Sequence, residues 1–131
     1  MDQNINRTSK PVILLIDDNE TYRKINKNVM LIEGFEVLEA TNGREALTLM
    51  QTNPPDLILC DVYMPNMDGL SFLTELKKDP SLGKIPVVMV TNVQEELDKA
   101  VKVGAEEAVL KSSVTPKQIV EVCRKHLGNT Q

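Results

Sequence analysis

Five short runs of apolar residues, spaced along the chain, constrain the fold more than any other feature of this sequence. Each run has the length of a β-strand. Most are continuously apolar, as strands of a parallel sheet are when helices cover both of its faces. The second run is more mixed, which suits a strand at the edge of the sheet. The runs lie at 12–16, 35–38, 57–60, 87–90 and 108–110.

Segments with helical periodicity separate these runs. In the first, apolar residues recur at intervals of three and four, and Gly34 marks the end of a helix. The residues of this stripe are Tyr22, Ile25, Val29 and Ile32. A second segment follows the capping residue Asn42, and a third lies between Asp68 and Pro80. Their apolar residues are Ala46, Leu47, Met50, Leu70, Leu73 and Leu76.

The last two helices carry signals at their ends. The sequence predicts a fourth helix that starts at Asn92, with Glu95 three residues on, and stops at Gly104. Thr115 is predicted to cap the fifth helix, and Gln118 completes a capping box. The residues expected to face inward are Leu97, Ala100 and Val101 in the fourth helix and Ile119, Val120, Cys123 and Leu127 in the fifth.

The alternation of strands and helices predicts an α/β fold. Crossover connections between parallel strands are right-handed, so the helices cover both faces of one parallel five-stranded sheet. The result is a doubly wound (βα)5 sandwich of three layers. At 131 residues the chain has the length of one such domain. We expect the domain at 11–128, a flexible N-terminal tail at 1–10, a C-terminal tail at 129–131, and no second domain.

Charge and composition argue against several function classes. The formal net charge of −4 opposes broad attraction to nucleic acid or to anionic membrane surfaces. The longest apolar run is too short to cross a bilayer, and the polar N-terminus lacks the apolar core of a signal peptide. Cys60 and Cys123 are far apart and are interpreted as reduced packing residues. We therefore expect a cytoplasmic protein with protein partners and small ligands.

Polar side chains follow four of the five predicted strands. Asp17 and Asp18 follow the first run, Asp61 the third, Thr91 the fourth and Lys111 the fifth. Ligands of open parallel sheets bind beyond the carboxyl ends of the strands, so these groups are expected to meet at one edge. Each has an ordinary explanation by itself, as a solvated turn, a cap or a surface lysine. Together at one edge, three carboxylates, a hydroxyl and an ammonium indicate a functional site.

Three carboxylates held close together repel one another, so the predicted site needs a cation or raised pKa values. Ligand sets made only of oxygen atoms favour Mg²⁺, which keeps positions for water and phosphate oxygens. One carboxylate then remains as a nucleophile, and carboxylates do act as covalent phosphoryl acceptors. The ammonium of Lys111 can neutralise one oxygen of a phosphoryl group. The hydroxyl of Thr91 can donate a hydrogen bond to another.

Four segments of this sequence resemble the receiver domains of bacterial response regulators, the CheY-like superfamily, in their stand-alone, single-domain form. The segments are Ile16-Asp17-Asp18-Asn19, Cys60-Asp61-Val62-Tyr63-Met64-Pro65-Asn66-Met67-Asp68-Gly69, Val90-Thr91 and Leu110-Lys111. Their order and spacing match over about 12–127. The resemblance implies a flavodoxin-like sheet with the strand order 2-1-3-4-5.

The resemblance also implies a role for the acidic residues. Asp61 would accept a phosphoryl group from a histidine kinase or a histidine phosphotransfer protein, in a two-component phosphorelay. Asp17 and Asp18 would hold Mg²⁺ together with Asp61 and the backbone carbonyl of Tyr63. The protein would catalyse its own phosphorylation and slow dephosphorylation, and would not be an enzyme otherwise.

Two further residues would convert phosphorylation into a signal. By the same resemblance, Thr91 would be the switch hydroxyl and Lys111 would bind a phosphoryl oxygen. The phosphorylated state would shift the conformation and control binding of a downstream partner protein, or pass the phosphoryl group onward. By family analogy the partner surface would involve the fourth and fifth helices, at 92–103 and 115–127.

Two positions depart from the family pattern. Three residues before the lysine the family usually has a Tyr or Phe that moves with the switch hydroxyl, and here the residue is Ala108. Directly after the lysine the family usually has a proline, and here the residue is Ser112. Because a cis bond before a non-proline residue is costly, this loop is expected to be trans or reshaped. Both changes concern the face of the fifth strand and helix that, by the resemblance, would transmit the signal.

Two alternatives remain open at this point. The first is a scaffold that keeps the receiver fold but works without phosphorylation, which Ala108 and Ser112 favour. The second is a Mg²⁺-dependent phosphatase with an aspartyl nucleophile after its first strand. Such enzymes have a second aspartate two residues after the nucleophile, whereas here Asp17 is followed by Asp18 and then Asn19.

Three more residues have predicted roles near the site or at the chain's end. Tyr63, two residues after Asp61, and Asn92, directly after the switch position, are expected to shield an acyl phosphate from water, so that dephosphorylation is slow. His126, the only histidine, is expected to be a surface residue that the helix dipole favours near the C-terminus of the last helix.

Overall fold

The structure, a computed structural model, describes residues 10–128, so the predicted tails lie outside the described residues except for Lys10. Five strands and five helices alternate within this range. The strands are β1 (Val12–Ile16), β2 (Glu36–Ala40), β3 (Leu57–Asp61), β4 (Val87–Thr91) and β5 (Glu107–Leu110). The helices are α1 (Glu20–Ile32), α2 (Gly43–Met50), α3 (Gly69–Lys77), α4 (Glu96–Val103) and α5 (Pro116–Gly128). Short 3₁₀ turns lie at Leu82–Lys84 and Lys111–Ser113.

The five strands form one sheet in the order β2-β1-β3-β4-β5, and every neighbouring pair is parallel. This confirms the predicted α/β architecture and the strand order 2-1-3-4-5. Ile16 is paired with Cys60, so the next residues, Asp17 and Asp61, lie at the same level of the sheet. Thr91 is paired with Leu110 on the other side. The register therefore places the carboxyl ends of four strands at one edge.

Two hydrophobic clusters, one on each face of the sheet, explain why the strands are continuously apolar. Alternate residues of each strand enter opposite clusters. Leu14 and Ile16 join the cluster that contacts α2, α3 and α4, whereas Ile13 and Leu15 join the cluster that contacts α1 and α5. Cys60 and Cys123 are buried as free thiols, one in each cluster. Among the described helices, none is long and apolar enough to span a membrane.

Strand β2 starts one residue later than predicted. Phe35 is buried, but its backbone N–H donates to the carbonyl of Met30 and so closes α1 instead of joining the sheet. The backbone N–H of Glu36 donates to Pro11, and strand pairing begins there. Hydrophobicity therefore placed this strand correctly but did not mark its first residue.

The buried face of α1 differs from the predicted stripe. Ile25 is 47% exposed and Ile32 is 82% exposed, whereas Asn26 and Met30 are buried. Asn26 is tolerated in the interior because its amide donates to the carbonyl of Tyr22, one turn earlier. The prediction of the helix was correct, but the predicted inward positions Ile25 and Ile32 were wrong.

Helix α4 starts at Glu96 and not at Asn92, so the predicted start was wrong. The backbone N–H of Val93 donates to Thr91 Oγ1 at 3.1 Å, which ties the residues after β4 into a turn. The helix ends at Gly104, as predicted, where φ is +131°. Ala100 is its buried residue, whereas Val101 is 51% exposed.

His126 lies near the C-terminus of α5, as predicted, but it is not a surface residue. Its side chain is 13% exposed, and its Nε2 lies 2.8 Å from Glu107 Oε1. Lys125 Nζ lies at the same distance from that oxygen. The side chain of His126 therefore packs against the start of β5.

The capping box of α5 forms as predicted, and its removal should be measurable. The backbone N–H of Gln118 donates to Thr115 Oγ1 at 3.1 Å, and the backbone N–H of Thr115 donates to Gln118 Oε1 at 2.9 Å. Thr115→Ala is expected to lower the free energy of unfolding by about 1 kcal/mol, because a helix N–H loses its acceptor. Urea denaturation checks this, with the exposed Ser113→Ala as control. Equal losses in the two variants would contradict it.

Candidate functional site

The predicted polar residues lie at one edge of the sheet, beyond the carboxyl ends of the strands. Asp17 follows β1 directly, Asp61 is the last residue of β3, Thr91 is the last residue of β4, and Lys111 opens the 3₁₀ turn after β5. Asp18 is the next residue after Asp17. The order of the strands, and not closeness in sequence, brings them together.

Three carboxylates form a cluster at this edge. One oxygen each of Asp17, Asp18 and Asp61 lies within 4.8 Å of the others. Asp17 and Asp61 are buried, whereas Asp18 is exposed. A donor set of carboxylate oxygens with one exposed side fits Mg²⁺, which keeps several waters or phosphate oxygens among its ligands.

Lys111 supplies the nearest positive charge. Its ammonium Nζ lies 3.0 Å from Asp17 Oδ2 and 3.3 Å from Asp61 Oδ2. Burial acts to lower the pKa of Lys111, but the hydrogen bond to Asp17 and the charge of Asp61 outweigh burial, so the pKa is raised. Lys111 therefore stays a cation at any physiological pH.

The carboxyl of Asp61 has a raised pKa. Burial and then the negative charge of Asp17 raise the pKa of Asp61 to about 6, and Lys111 offsets only part of that rise. Two buried carboxylates with one ammonium leave an excess of negative charge. The structure thus agrees with the argument that this cluster needs a cation or a raised pKa.

The raised pKa of Asp61 predicts a pH-dependent change in stability. The pKa is about 6 in the folded chain and about 4 in an unfolded one, so the folded state binds the proton more tightly. Ionisation of Asp61 therefore lowers stability as the pH rises from about 4 to about 6. We expect Asp61→Asn to be more stable than wild type by about 2 kcal/mol at about pH 8 without divalent metal, and to lose this advantage toward about pH 4.

Urea denaturation in EDTA at both pH values measures this difference. Asp68→Asn is the matched control, because Asp68 Oδ1 caps α3 by accepting from the backbone N–H of Ser71, and asparagine caps as well. An advantage of Asp61→Asn that is the same at both pH values would contradict the assignment of the raised pKa.

The backbone around Asp17 is held by residues that sequence reasoning missed. Arg23 Nη1 donates to the carbonyl oxygen of Asp17 at 2.7 Å, and Arg23 Nε donates to Glu39 Oε1 at 2.8 Å. Lys27 Nζ also donates to Glu39, at Oε2. The hydrogen bonds from Lys27 and Arg23 hold the pKa of Glu39 below its usual value. An arginine in the first turns of α1 is the only sequence signal, and helical periodicity alone does not distinguish it from a solvated charge.

Thr91 is buried. Its hydroxyl oxygen accepts a hydrogen bond from the backbone N–H of Val93. Thr91 therefore caps a turn and does not cap the fourth helix, although a helix cap was the ordinary explanation for this residue. The hydroxyl therefore lies between the end of β4 and the loop that leads to α4. A displacement of this hydroxyl would break or move its hydrogen bond to Val93 and so move that loop.

Tyr63 links the loop after β3 to α4. Its side chain is 52% exposed, and its hydroxyl donates to Glu96 Oε2 at 2.6 Å. This hydrogen bond raises the pKa of Tyr63. The other carboxylate oxygen, Glu96 Oε1, is buried without a hydrogen-bond partner among the described residues. Glu96 was not predicted, because the sequence gives no sign that the first residue of α4 meets the loop after β3.

The two positions that depart from the family pattern have simple surroundings. Ala108 is paired with Met89 in the sheet and packs, half-buried, on the cluster beneath α4. Ser112 is exposed within the 3₁₀ turn Lys111–Ser113. Over residues 10–128 there is no cis peptide bond, so the bond between Lys111 and Ser112 is trans, as expected without proline.

Tyr22 is a second aromatic residue at the site, and sequence reasoning assigned it only to the apolar stripe of α1. Lys111 Nζ lies 4.4 Å from the centroid of the Tyr22 ring, within the range of a cation–π interaction. The Tyr22 hydroxyl is buried without a hydrogen-bond partner in the described part of the chain. The ring therefore contacts the site.

Comparisons with known proteins all point to one family. The sequence model of response regulator receiver domains matches residues 13–124. The polar-differentiation response regulator DivK of Brucella anthropi is 31% identical over 118 residues, which cover 89% of this chain and 96% of DivK. The ycf27 protein of Cyanophora paradoxa is 34% identical over 125 residues, and the match spans only 51% of its length. The chemotaxis response regulator CheY4 of Vibrio cholerae superposes with a TM-score of 0.81 at 27% identity, covering 89% of this chain and 98% of that one.

Proposed function

Because this chain belongs to the family of response regulator receiver domains, we propose that it accepts a phosphoryl group on Asp61 in a Mg²⁺-dependent reaction. The donor would be a histidine kinase or a histidine phosphotransfer protein. The phosphorylated state would then have a different affinity for a downstream partner protein. The family has a general role in two-component signalling, and the specific chemistry proposed here rests on this chain's own residues.

One observation carries the proposal. The buried carboxylate of Asp61 shares the ammonium of Lys111 with Asp17, at 3.3 Å and 3.0 Å, in a cluster of three carboxylates. A carboxylate oxygen in such a place can attack the phosphorus of a donor while the bond to the donor's leaving group breaks. Lys111 would then hold one phosphoryl oxygen and Thr91 would donate a hydrogen bond to another.

The residues that would hold Mg²⁺ are Asp17, Asp18 and Asp61, with the backbone carbonyl of Tyr63 as a fourth ligand. When bound, the metal supplies positive charge against the phosphoryl oxygens. The protein supplies the alignment of the carboxylates. The backbone of Asp17 is held by the hydrogen bond from Arg23, and Asp61 is the last residue of a buried strand. The reaction is therefore mainly a matter of alignment and charge.

The remaining parts of the proposal concern organisation and partners. The functional domain would span 11–128, the protein would act in the cytoplasm, and it would bind neither nucleic acid nor membranes. The partner surface would lie on α4 and α5. The protein would turn over no external substrate, apart from its own phosphorylation and slow dephosphorylation.

A second candidate function is a scaffold that binds its partner without phosphorylation. Ala108 and Ser112 favour it, because neither the aromatic residue nor the proline of the family pattern is present beside Lys111. The intact cluster around Asp61 argues against it, since a buried carboxylate with a raised pKa is costly to keep without use.

Intact-protein mass spectrometry separates the two functions. The protein is incubated with acetyl phosphate in the presence of either Mg²⁺ or EDTA. We expect the gain of one phosphoryl group only in the sample that contains Mg²⁺. If no phosphoryl group is gained in either condition, and the cognate kinase also leaves Asp61 unlabelled, the scaffold function replaces the proposal.

The exposed ring of Tyr63 should slow the loss of the phosphoryl group, by hindering the approach of water. Tyr63→Ala is expected to shorten the lifetime of the phosphorylated protein about threefold or more, since a barrier change below about 1 kcal/mol suffices. Tyr63→Phe keeps the ring but loses the hydrogen bond to Glu96, so it separates shielding from loop anchoring. Asn92→Ala is the companion variant. Unchanged lifetimes in Tyr63→Ala and Asn92→Ala, followed by mass spectrometry, would rule out shielding.

A further inference from the structure

Two carboxylates and one aromatic ring lie close to the ammonium of Lys111 among the described residues. Asp17 Oδ2 and Asp61 Oδ2 lie at 3.0 Å and 3.3 Å, and the centroid of the Tyr22 ring lies at 4.4 Å. We propose that Tyr22 is a positioning residue, which holds the ammonium of Lys111 where it meets a phosphoryl group on Asp61. This inference rests on the proposed function and adds a determinant supplied by α1.

A lysine at this place needs support from outside its own strand. Its ammonium ends a flexible stem of four carbons, which has many rotamers in the absence of packing. On the side of β5, Ala108 offers only a methyl group, and Ser112 is exposed. The Tyr22 ring is a broad, rigid surface with a negative face, and it is supplied by α1 rather than by β5.

Tyr22 is itself fixed to the metal-ligand loop. Asn19 caps α1, because its side-chain oxygen accepts from the backbone N–H of Tyr22 at 2.9 Å. The backbone N–H of Asn19 donates in turn to Asp17 Oδ1 at 2.8 Å. Since Lys111 donates to the other oxygen of Asp17, these four residues form a closed circuit of contacts. Both oxygens of the Asp17 carboxylate are therefore held, Oδ1 by Asn19 and Oδ2 by Lys111.

The ring, and not the hydroxyl, carries this function. Tyr22 Oη is buried beside Asn26, and among the described residues it makes no hydrogen bond to Lys111, Asp17 or Asp61. Burial raises the pKa of Tyr22, so the phenol stays neutral at physiological pH. A neutral aromatic face attracts a cation whether or not the ring carries a hydroxyl. We therefore expect phenylalanine at position 22 to hold Lys111 as tyrosine does.

The attraction also persists when Asp61 changes. When Asp61 is phosphorylated, a phosphoryl oxygen would become the partner of Lys111 Nζ in place of Asp61 Oδ2, which now lies 3.3 Å away. The contacts with Asp17 and with the Tyr22 ring are not consumed by this exchange. They leave the ammonium with two fixed neighbours while the third changes, so its position is determined before the phosphoryl group arrives.

Binding of trifluoroberyllate, a stable phosphoryl analogue, tests the inference by isothermal titration in the presence of Mg²⁺. Tyr22→Leu is expected to weaken binding about fivefold to tenfold, from the usual strength of a partly buried cation–π contact. Tyr22→Phe is expected to stay within about twofold of wild type on the same basis. Tyr22→Met, which also fills the space without a π face, guards against a Tyr22→Leu variant that fails to fold.

A second readout does not depend on any ligand. In wild type and Tyr22→Phe the ε-methylene protons of Lys111 should show an upfield ring-current shift by NMR, and this shift should disappear in Tyr22→Leu or Tyr22→Met. Equal affinity in all variants, or equal weakening in Tyr22→Phe and Tyr22→Leu, overturns the inference. If wild type itself fails to bind trifluoroberyllate, the proposed function fails, and the ring-current shift still decides whether Tyr22 holds Lys111.

Discussion

Asp61→Asn is expected to abolish the gain of a phosphoryl group from acetyl phosphate, down to the background of the mass measurement. An amide has no anionic oxygen to attack phosphorus, and the acyl phosphate that carboxylates form has no counterpart on an amide. Asparagine has nearly the same volume as aspartate, so the packing around the buried end of β3 is retained. Removing the charge also removes the repulsion with Asp17, so the variant should be fully folded and the loss of reaction cannot come from unfolding.

Asp68→Asn is again the matched control. Asp68 lies in the same loop region after β3 and caps α3, but it is not part of the three-carboxylate cluster. It should gain the phosphoryl group as wild type does. The assignment of the acceptor fails if Asp61→Asn still gains mass in Mg²⁺, or if Asp68→Asn loses the gain to the same extent.

Gly69→Ala is expected to give the largest loss of stability of any small substitution near the site. Gly69 opens α3, and its backbone N–H donates to the carbonyl of Val62 at 2.7 Å. A Cβ at this position would overlap the carbonyl oxygen of Asp61 and would lie 2.9 Å from Val62 Cα and 2.7 Å from Met89 Cε. Two of these three atoms are backbone, so relief requires movement of the end of β3.

The expected cost of Gly69→Ala is about 3 kcal/mol, at the upper end of the usual range for overpacking. For a chain of this size that corresponds to a melting temperature lower by about 10 °C, measured by circular dichroism. Ser71→Ala, at an exposed position in the same helix, is the control and should change the melting temperature by less than about 2 °C. A melting temperature of Gly69→Ala equal to that of Ser71→Ala would show that the loop yields without strain.

The strands, their order and the meeting of the site residues were predictable, because they depend on local patterns. Each buried strand of a parallel sheet is apolar throughout, so β1, β3 and β4 were visible as runs of the right length. The polar residue after each run marks the same edge, because all strands point the same way. The sequence alone therefore predicts that Asp17, Asp61 and Lys111 lie together.

The inward face of α1, the start of α4 and the aromatic neighbour of Lys111 were not predictable from these patterns. Ile25 is as apolar as Met30, and only packing against α5 and the sheet decides which of them is buried. The segment before Glu96 carries helix-start residues, but the hydrogen bond from Val93 to Thr91 shapes it into a turn. Tyr22 had a sufficient explanation as a packing residue, so its contact with Lys111 left no separate trace in the sequence.

The site stands on two kinds of structure with different resistance to local opening. β3 and β4 are buried over their full length and paired on both sides, so we expect the backbone amides of Asp61 and Thr91 to be among the last to exchange their hydrogens. β5 is an edge strand whose residues are all partly exposed, and it carries Lys111 at its end. Subglobal opening at this edge would move the ammonium while the acceptor stays fixed, so the free energy of that opening sets an upper limit on how rigidly β5 can hold the cation.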